Sequence, residues 1–188
     1  MINVVAIYAA IIGTFGLLLT IYINTQSNKL KITLDINSKI NYADAKIMNI
    51  QQTPIARYFH IMVKNNHKRK TAKNCKAYMT SIKENNSDVE LMSTEVPLKW
   101  RGYQSTMVAI DIPPMQDRKF DAFFVFHQKP DELQLNAFID STSLMPKVSG
   151  ERKLKINFKV TADNFKTKER SFLVTLSQNL NNVAINSM

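Results

Sequence analysis

The chain has 188 residues, a formal net charge of +10 and a single cysteine, Cys75. That length suffices for one globular domain with a sizeable buried core. One cysteine excludes an intrachain disulfide, so the fold does not depend on an oxidising compartment.

The first feature along the chain is Val4–Ile23, VVAIYAAIIGTFGLLLTIYI, twenty residues without a charge. As a helix this run would be about 30 Å long, the thickness of a bilayer's hydrocarbon core. A cleaved signal needs a basic start, a shorter apolar stretch and a small-residue cleavage site. Here nothing basic precedes the run, and Tyr22-Ile23-Asn24-Thr25-Gln26 closes it. A buried soluble helix would show a polar stripe, and only Thr14 and Thr20 offer polarity. The expectation is an uncleaved single-pass transmembrane helix over residues 1–26. Ala6, Ala9, Gly13, Gly16 and Thr20 recur at spacings of three and four, which puts small residues on one helical face. Such a face lets a second helix approach closely in lipid, so a protein partner in the membrane is expected there. Lys29, Lys31, Lys39 and Lys46 follow the run, and no Lys or Arg precedes it. The positive-inside rule then favours a cytoplasmic domain at the cell membrane.

Leu30, Ile32, Leu34 and Ile36 alternate with polar residues, the period of a half-buried strand, and almost no linker precedes them. Pro54 interrupts any helix in the ambiguous stretch 38–56. Arg57–Lys64 and Ala72–Ile82 read as strands around a polar turn at Asn65–Lys70, with Cys75, Ala77 and Met79 on the inward face. Asn85–Asp88 is a further turn. Val89–Met92, Pro97–Trp100 and Met107–Ile112 are short strand candidates, the last stopped by Pro113-Pro114. Phe120–His127 reads as a central strand and Leu133–Ile139 as another. The clearest hairpin runs from Lys153–Val160 through Asp163–Lys166 to Phe172–Leu176. Eight or nine short strands without a soluble amphipathic helix predict an all-β, immunoglobulin-like antiparallel β-sandwich over residues 27–178. The Asn-rich residues 179–188 are expected as a flexible tail.

The residues Phe59–Ile82, FHIMVKNNHKRKTAKNCKAYMTSI, together with Pro97-Leu98-Lys99-Trp100 and Ile110-Asp111-Ile112-Pro113-Pro114, carry a family likeness over residues 57–126. The chain resembles uncharacterised prokaryotic, largely archaeal, single-pass membrane proteins with an immunoglobulin-like sandwich, and more loosely the CARDB-type adhesion-related modules. The resemblance implies a fold and an anchor but no catalytic site. The glycine usual after V-K-N is replaced by Asn66-His67; asparagine tolerates the left-handed conformation such a turn uses.

For chemistry the chain shows no metal-ligand spacing among His60, His67 and His127, and no nucleophile elbow, phosphate loop or dinucleotide fingerprint. No catalytic residue, metal or cofactor is expected, and Cys75 reads as a buried, inert thiol. Asp111, Asp117 and Asp121 surround the Pro113-Pro114 turn at spacings that fit no cation loop. The lone Trp100 reads as a core anchor.

Two basic groups stand out. Lys64, Lys68, Arg69, Lys70 and Lys73 surround one turn, and Lys153, Lys155 and Lys159 line one strand face. Basic residues beside a membrane are drawn to anionic headgroups by about 1 kcal/mol each. The absence of an aromatic stacking platform disfavours nucleic acid. The sequence therefore predicts a non-catalytic membrane-anchored binding or scaffolding protein. Its alternative is a basic module that binds anionic lipid or another polyanion.

Overall fold

A computed structural model describes residues 12–21, 32–36, 42–45, 55–87, 89–103, 108–135 and 147–188. The chain divides into two compact units, residues 1–30 and 31–188.

In the first unit, residues 12–21 form an exposed α-helix. Thr20 donates its hydroxyl to the Gly16 carbonyl at 2.8 Å, the back-bond that satisfies a hydroxyl on a helix. A Cβ added at Gly13 or Gly16 would meet nothing within 4 Å. A helix of this length rises about 15 Å, half of a bilayer core. Among the described residues no helix is long and apolar enough to cross a membrane. The remainder of the transmembrane helix expected from the sequence, including Ala6 and Ala9, lies outside the described residues.

The second unit is an all-β sandwich of two antiparallel sheets. Its strands are β1 (Ile32–Asp35), β2 (Tyr42–Ala45), β3 (Ala56–Asn65), β4 (Ala72–Glu84), β5 (Glu90–Met92), β6 (Val96–Pro97), β7 (Ile110–Ile112), β8 (Asp117–Phe126), β9 (Lys129–Gln134), β10 (Lys147–Ser149), β11 (Arg152–Ala162), β12 (Phe165–Leu176) and β13 (Ala184–Ser187). One sheet runs β1-β3-β8-β9-β10, with β2 also on β3. The other runs β13-β12-β11-β4-β5, with β6 and β7 also on β4.

The alternation read from the sequence sets which faces are buried. Leu154, Ile156, Phe158 and Val160 of β11 are fully buried, while the residues between them turn away from the core. Phe120–Val125 of β8 are buried without interruption, and β8 lies between β3 and β9 in its sheet. An aromatic chain crosses the core from Trp100 to Phe120, Phe158 and Phe172, each centroid 5.8–5.9 Å from the next. Such tilted and edge-on contacts add to simple burial.

The strands outnumber the eight or nine expected because two long edges are covered piecewise. β1 pairs with Met62–Asn65 of β3, and β2 pairs with Ala56–Phe59 of the same strand. Three short strands share the outer edge of β4. A segment of two or three paired residues carries no legible period.

The end of the chain corrects a second expectation. Residues 179–188 include a 3₁₀ turn at Leu180–Asn182 and β13, which pairs with Phe172–Thr175 of β12. Val183 and Ile185 are buried, and their burial fixes a segment that its asparagines had marked as loose.

Two connections tie the sheets together. Leu98 N–H donates to Ala77 of β4, and two residues later Trp100 bridges to Phe120 of β8. On β12, Arg170 donates to the Leu34 carbonyl of β1 at 2.6 Å.

Candidate functional site

The first predicted basic group gathers at one end of the sandwich. Lys68, Arg69 and Lys70 are exposed in the β3–β4 turn, and Lys73 is exposed at the start of β4. The turn is held from beneath by two buried side chains. Asn65, with no exposed surface, donates Nδ2 to the carbonyls of Lys70 (2.7 Å) and Ile112 (2.9 Å). Its Oδ1 accepts from His67 N–H at 3.0 Å. His67 Nδ1 in turn accepts the backbone N–H groups of Arg69 and Lys70, at 3.0 and 2.9 Å. The left-handed conformation expected at Asn66-His67 is not used there, because the non-glycine residues with positive φ are Asn74 and Met115. Side-chain hydrogen bonds supply what the missing glycine would have supplied through backbone freedom.

The neighbouring β11–β12 turn packs against this one. Asn164 accepts from Lys73 N–H and donates to the Thr71 carbonyl. Asn74 bonds to the carboxylates of Asp111 and Asp163, which holds those acids beside the turn. β1 also starts at this end, with Ile32 opposite Asn65. Lys64 lies on β3 opposite Asp117, so an acidic residue stands beside it.

The second basic group does not join the first. Lys73 and Lys153 lie at opposite ends of the thirteen-residue strand β4, because Lys153 accepts from Asn85 just beyond it. At about 3.3 Å per residue that separation approaches 40 Å. Lys155 lies opposite Lys83, which pairs with Glu90 at 3.8 Å. Lys159 is paired with Glu95 and sits 5.3 Å over the Tyr78 ring. The strip expected on β11 is thus interleaved with carboxylates and presents no continuous positive track.

The carboxylates named in the sequence also separate. Asp111 accepts from Asn74 N–H, while Asp121 faces His60. Among the described residues no three His, Cys, Asp or Glu stand close enough to hold a metal. Cys75 is fully buried, and burial, followed by the charge of Asp111, pushes its thiol up to about 12. Trp100 is buried against Phe120, in keeping with an anchor in the core.

A cleft that the sequence did not reveal opens on the outer face of the first sheet. It has a volume of about 360 Å³ and is lined by Ala43, Asp44, Tyr58, His60, Lys99, Arg101 and Asp121. The register of β3 on β8, shifted by a bulge after Phe59, sets His60 opposite Asp121. His60 Nδ1 lies 2.9 Å from the Asp121 carboxylate. Because Trp100 points into the core, its neighbours Lys99 and Arg101 turn outward. Their backbones are pinned to β8: Asp121 N–H donates to Lys99, and Arg101 N–H donates to Lys119, both at 2.9 Å. Tyr58 stacks on Phe124 with centroids 5.1 Å apart. Burial and then Asp121 push its phenol upward, which keeps the hydroxyl protonated as a donor. At the rim, Asp44 is occupied by Arg57. No sequence motif could have marked this cleft, since its residues come from four separated segments.

Comparison of the chain with protein-family models, with curated proteins and with solved structures finds no match.

Proposed function

We propose that the chain is a non-catalytic, single-pass membrane-anchored binding or scaffolding protein, a subunit or accessory of a membrane complex. The observation that carries this reading is the charge-free run Val4–Ile23 joined in sequence to one β-sandwich unit. Two further features support it. Among the described residues, a Cβ added at Gly13 or Gly16 would meet nothing within 4 Å, which leaves room there for a partner helix. The strand order, with β3 beside β8 in one sheet and β4 beside β11 in the other, supports an immunoglobulin-like reading of the sandwich. It accords with the resemblance to membrane-anchored prokaryotic proteins and CARDB-type modules. The lysines that follow the apolar run favour a cytoplasmic domain.

Co-purification from membranes in mild detergent tests the proposal. Replacing Gly13 and Gly16 by Leu is expected to release a partner while the chain stays in the membrane fraction. Unchanged assembly, or a chain recovered without any membrane association, overturns it.

A second reading is favoured by the β3–β4 turn. Its cations are held in place by Asn65 and His67 at the end of the sandwich where β1 begins. Under this reading the turn contacts anionic lipid headgroups. The full chain would be placed in nanodiscs, with an environment-sensitive dye at Lys73→Cys. The dye is expected to shift only when phosphatidylserine is present, and the shift should vanish at high salt. A response independent of lipid charge excludes this reading.

A further inference from the structure

We propose that the cleft over His60 is a binding site for a small ligand bearing an oxyanion, a phosphate or carboxylate group. The inference goes beyond the membrane reading and does not depend on it.

Three observations converge on it. Lys99 and Arg101 flank the buried Trp100, so both cations turn outward from a backbone fixed on β8. Neither cation is engaged in an ion pair among the described residues. The cleft is therefore a concave polar surface with two cations carried on a fixed backbone, a setting in which charge-assisted hydrogen bonds to oxyanions form.

The second observation is His60 itself. It is 5 % exposed, and among the described residues neither of its ring nitrogens, both shielded from solvent, has a hydrogen-bond partner, although Nδ1 lies 2.9 Å from the Asp121 carboxylate. A buried polar atom without a partner destabilises the fold that holds it. Such a group in a native fold calls for a role. With Asp121 beside Nδ1, Nε2 is the ring nitrogen left for a ligand. It accepts from a ligand hydroxyl when the ring is neutral and donates to a ligand oxygen when the ring is an imidazolium.

The third is the charge pattern. The two carboxylates that line the cleft already have partners: Asp121 lies against His60, and Asp44 is held by Arg57. The cations are thereby left as the groups that face an incoming anion. Tyr58 adds a neutral hydroxyl to the same wall.

The test is a titration of the full chain in detergent micelles with inorganic phosphate, at ionic strength held constant with chloride. Side-chain NMR of the three histidines gives the readout, with assignments from His60→Gln, His67→Gln and His127→Gln. The expected result is a saturable shift of the His60 ring alone. Lys99→Ala and Arg101→Ala should each weaken binding about tenfold, because each removes one charge-assisted contact worth about 1.4 kcal/mol or more. Both substitutions leave Trp100 in place, and an unchanged denaturation midpoint would verify the fold. Parallel titrations with glycerol phosphate and with acetate distinguish a phosphate ester from a carboxylate; tighter binding of either supports the site and names its ligand class. No saturable shift with any of the three anions overturns the proposal. So does equal movement of all three histidines, or an affinity unchanged when Lys99→Ala and Arg101→Ala are combined in one chain.

Discussion

Arg57 holds Asp44 through two parallel hydrogen bonds, Nε to Oδ1 at 2.7 Å and Nη2 to Oδ2 at 3.2 Å. The same guanidinium stacks 4.1 Å over the Tyr42 ring and reaches the Leu180 carbonyl at 3.5 Å. One side chain thus joins β2, β3 and the 3₁₀ turn after β12. The hydrogen bond from Arg57 holds the Asp44 carboxyl below the usual range, against the opposing effect of burial. A depressed carboxylate stabilises the fold above the unfolded value of about 4, and the contribution is lost as pH falls through the lower folded value. Arg57→Ala is expected to cost about 2 kcal/mol at neutral pH, between the values for exposed and buried pairs. Urea denaturation should also show Asp44→Asn approaching the parent's stability in acid, below about pH 4. A pH-independent gap would rule out the linkage.

Asn65 satisfies two carbonyls and one N–H from a position without exposed surface. Asn65→Ala strands all three groups and is expected to destabilise the sandwich by about 3 kcal/mol. Asn65→Asp should be worse, since a carboxylate oxygen would face the Lys70 and Ile112 carbonyls. Denaturation midpoints of the two variants would check that order.

Trp100 is 1 % exposed, yet its indole N–H has no partner among the described residues. Trp100→Ala opens a large cavity beside Phe120 and should cost about 3–5 kcal/mol. Trp100→Phe keeps an aromatic edge and removes an unsatisfied donor, so it should cost at least about 2 kcal/mol less than the alanine variant. Equal losses would place the stabilisation in something other than packing.

Cys75 is shut in the core beside the Ala72 carbonyl, with its thiol pushed to about 12. The folded chain should resist a thiol-reactive reagent at neutral pH, and the unfolded chain should react within the mixing time of the assay. Rapid labelling of the native chain would contradict the burial.

Truncation after Gln178 removes β13 together with the buried side chains of Val183 and Ile185. The expected loss is about 3 kcal/mol, from two apolar side chains returned to water. A flexible tail would be removable at no cost, so the thermal midpoint of the truncated chain separates the two cases.

Period and composition alone were enough to mark the longer strands and their inward residues, from Ile32 and Leu34 to the Leu154–Val160 series. Those strands alternate because burial on one face selects apolar side chains at every second position. Sequence also marked the inert thiol at Cys75, the tryptophan anchor and the exposed cations of the β3–β4 turn. Pairing decided the rest. The short strands along β3 and β4 exist because longer neighbours offer them edges, and β13 is ordered by a partner ten or so residues back in the chain. The distance between Lys73 and Lys153 follows from the length of β4, and the carboxylates beside Lys155 and Lys159 follow from its pairing, neither of which a local pattern encodes. The His60–Asp121 contact depends on a register shift across β3 and β8, and the cations beside it depend on the crossing at Trp100. Local propensity carries the elements because each is written in neighbouring residues. The cleft joins residues from four segments, so only the tertiary arrangement could assemble it.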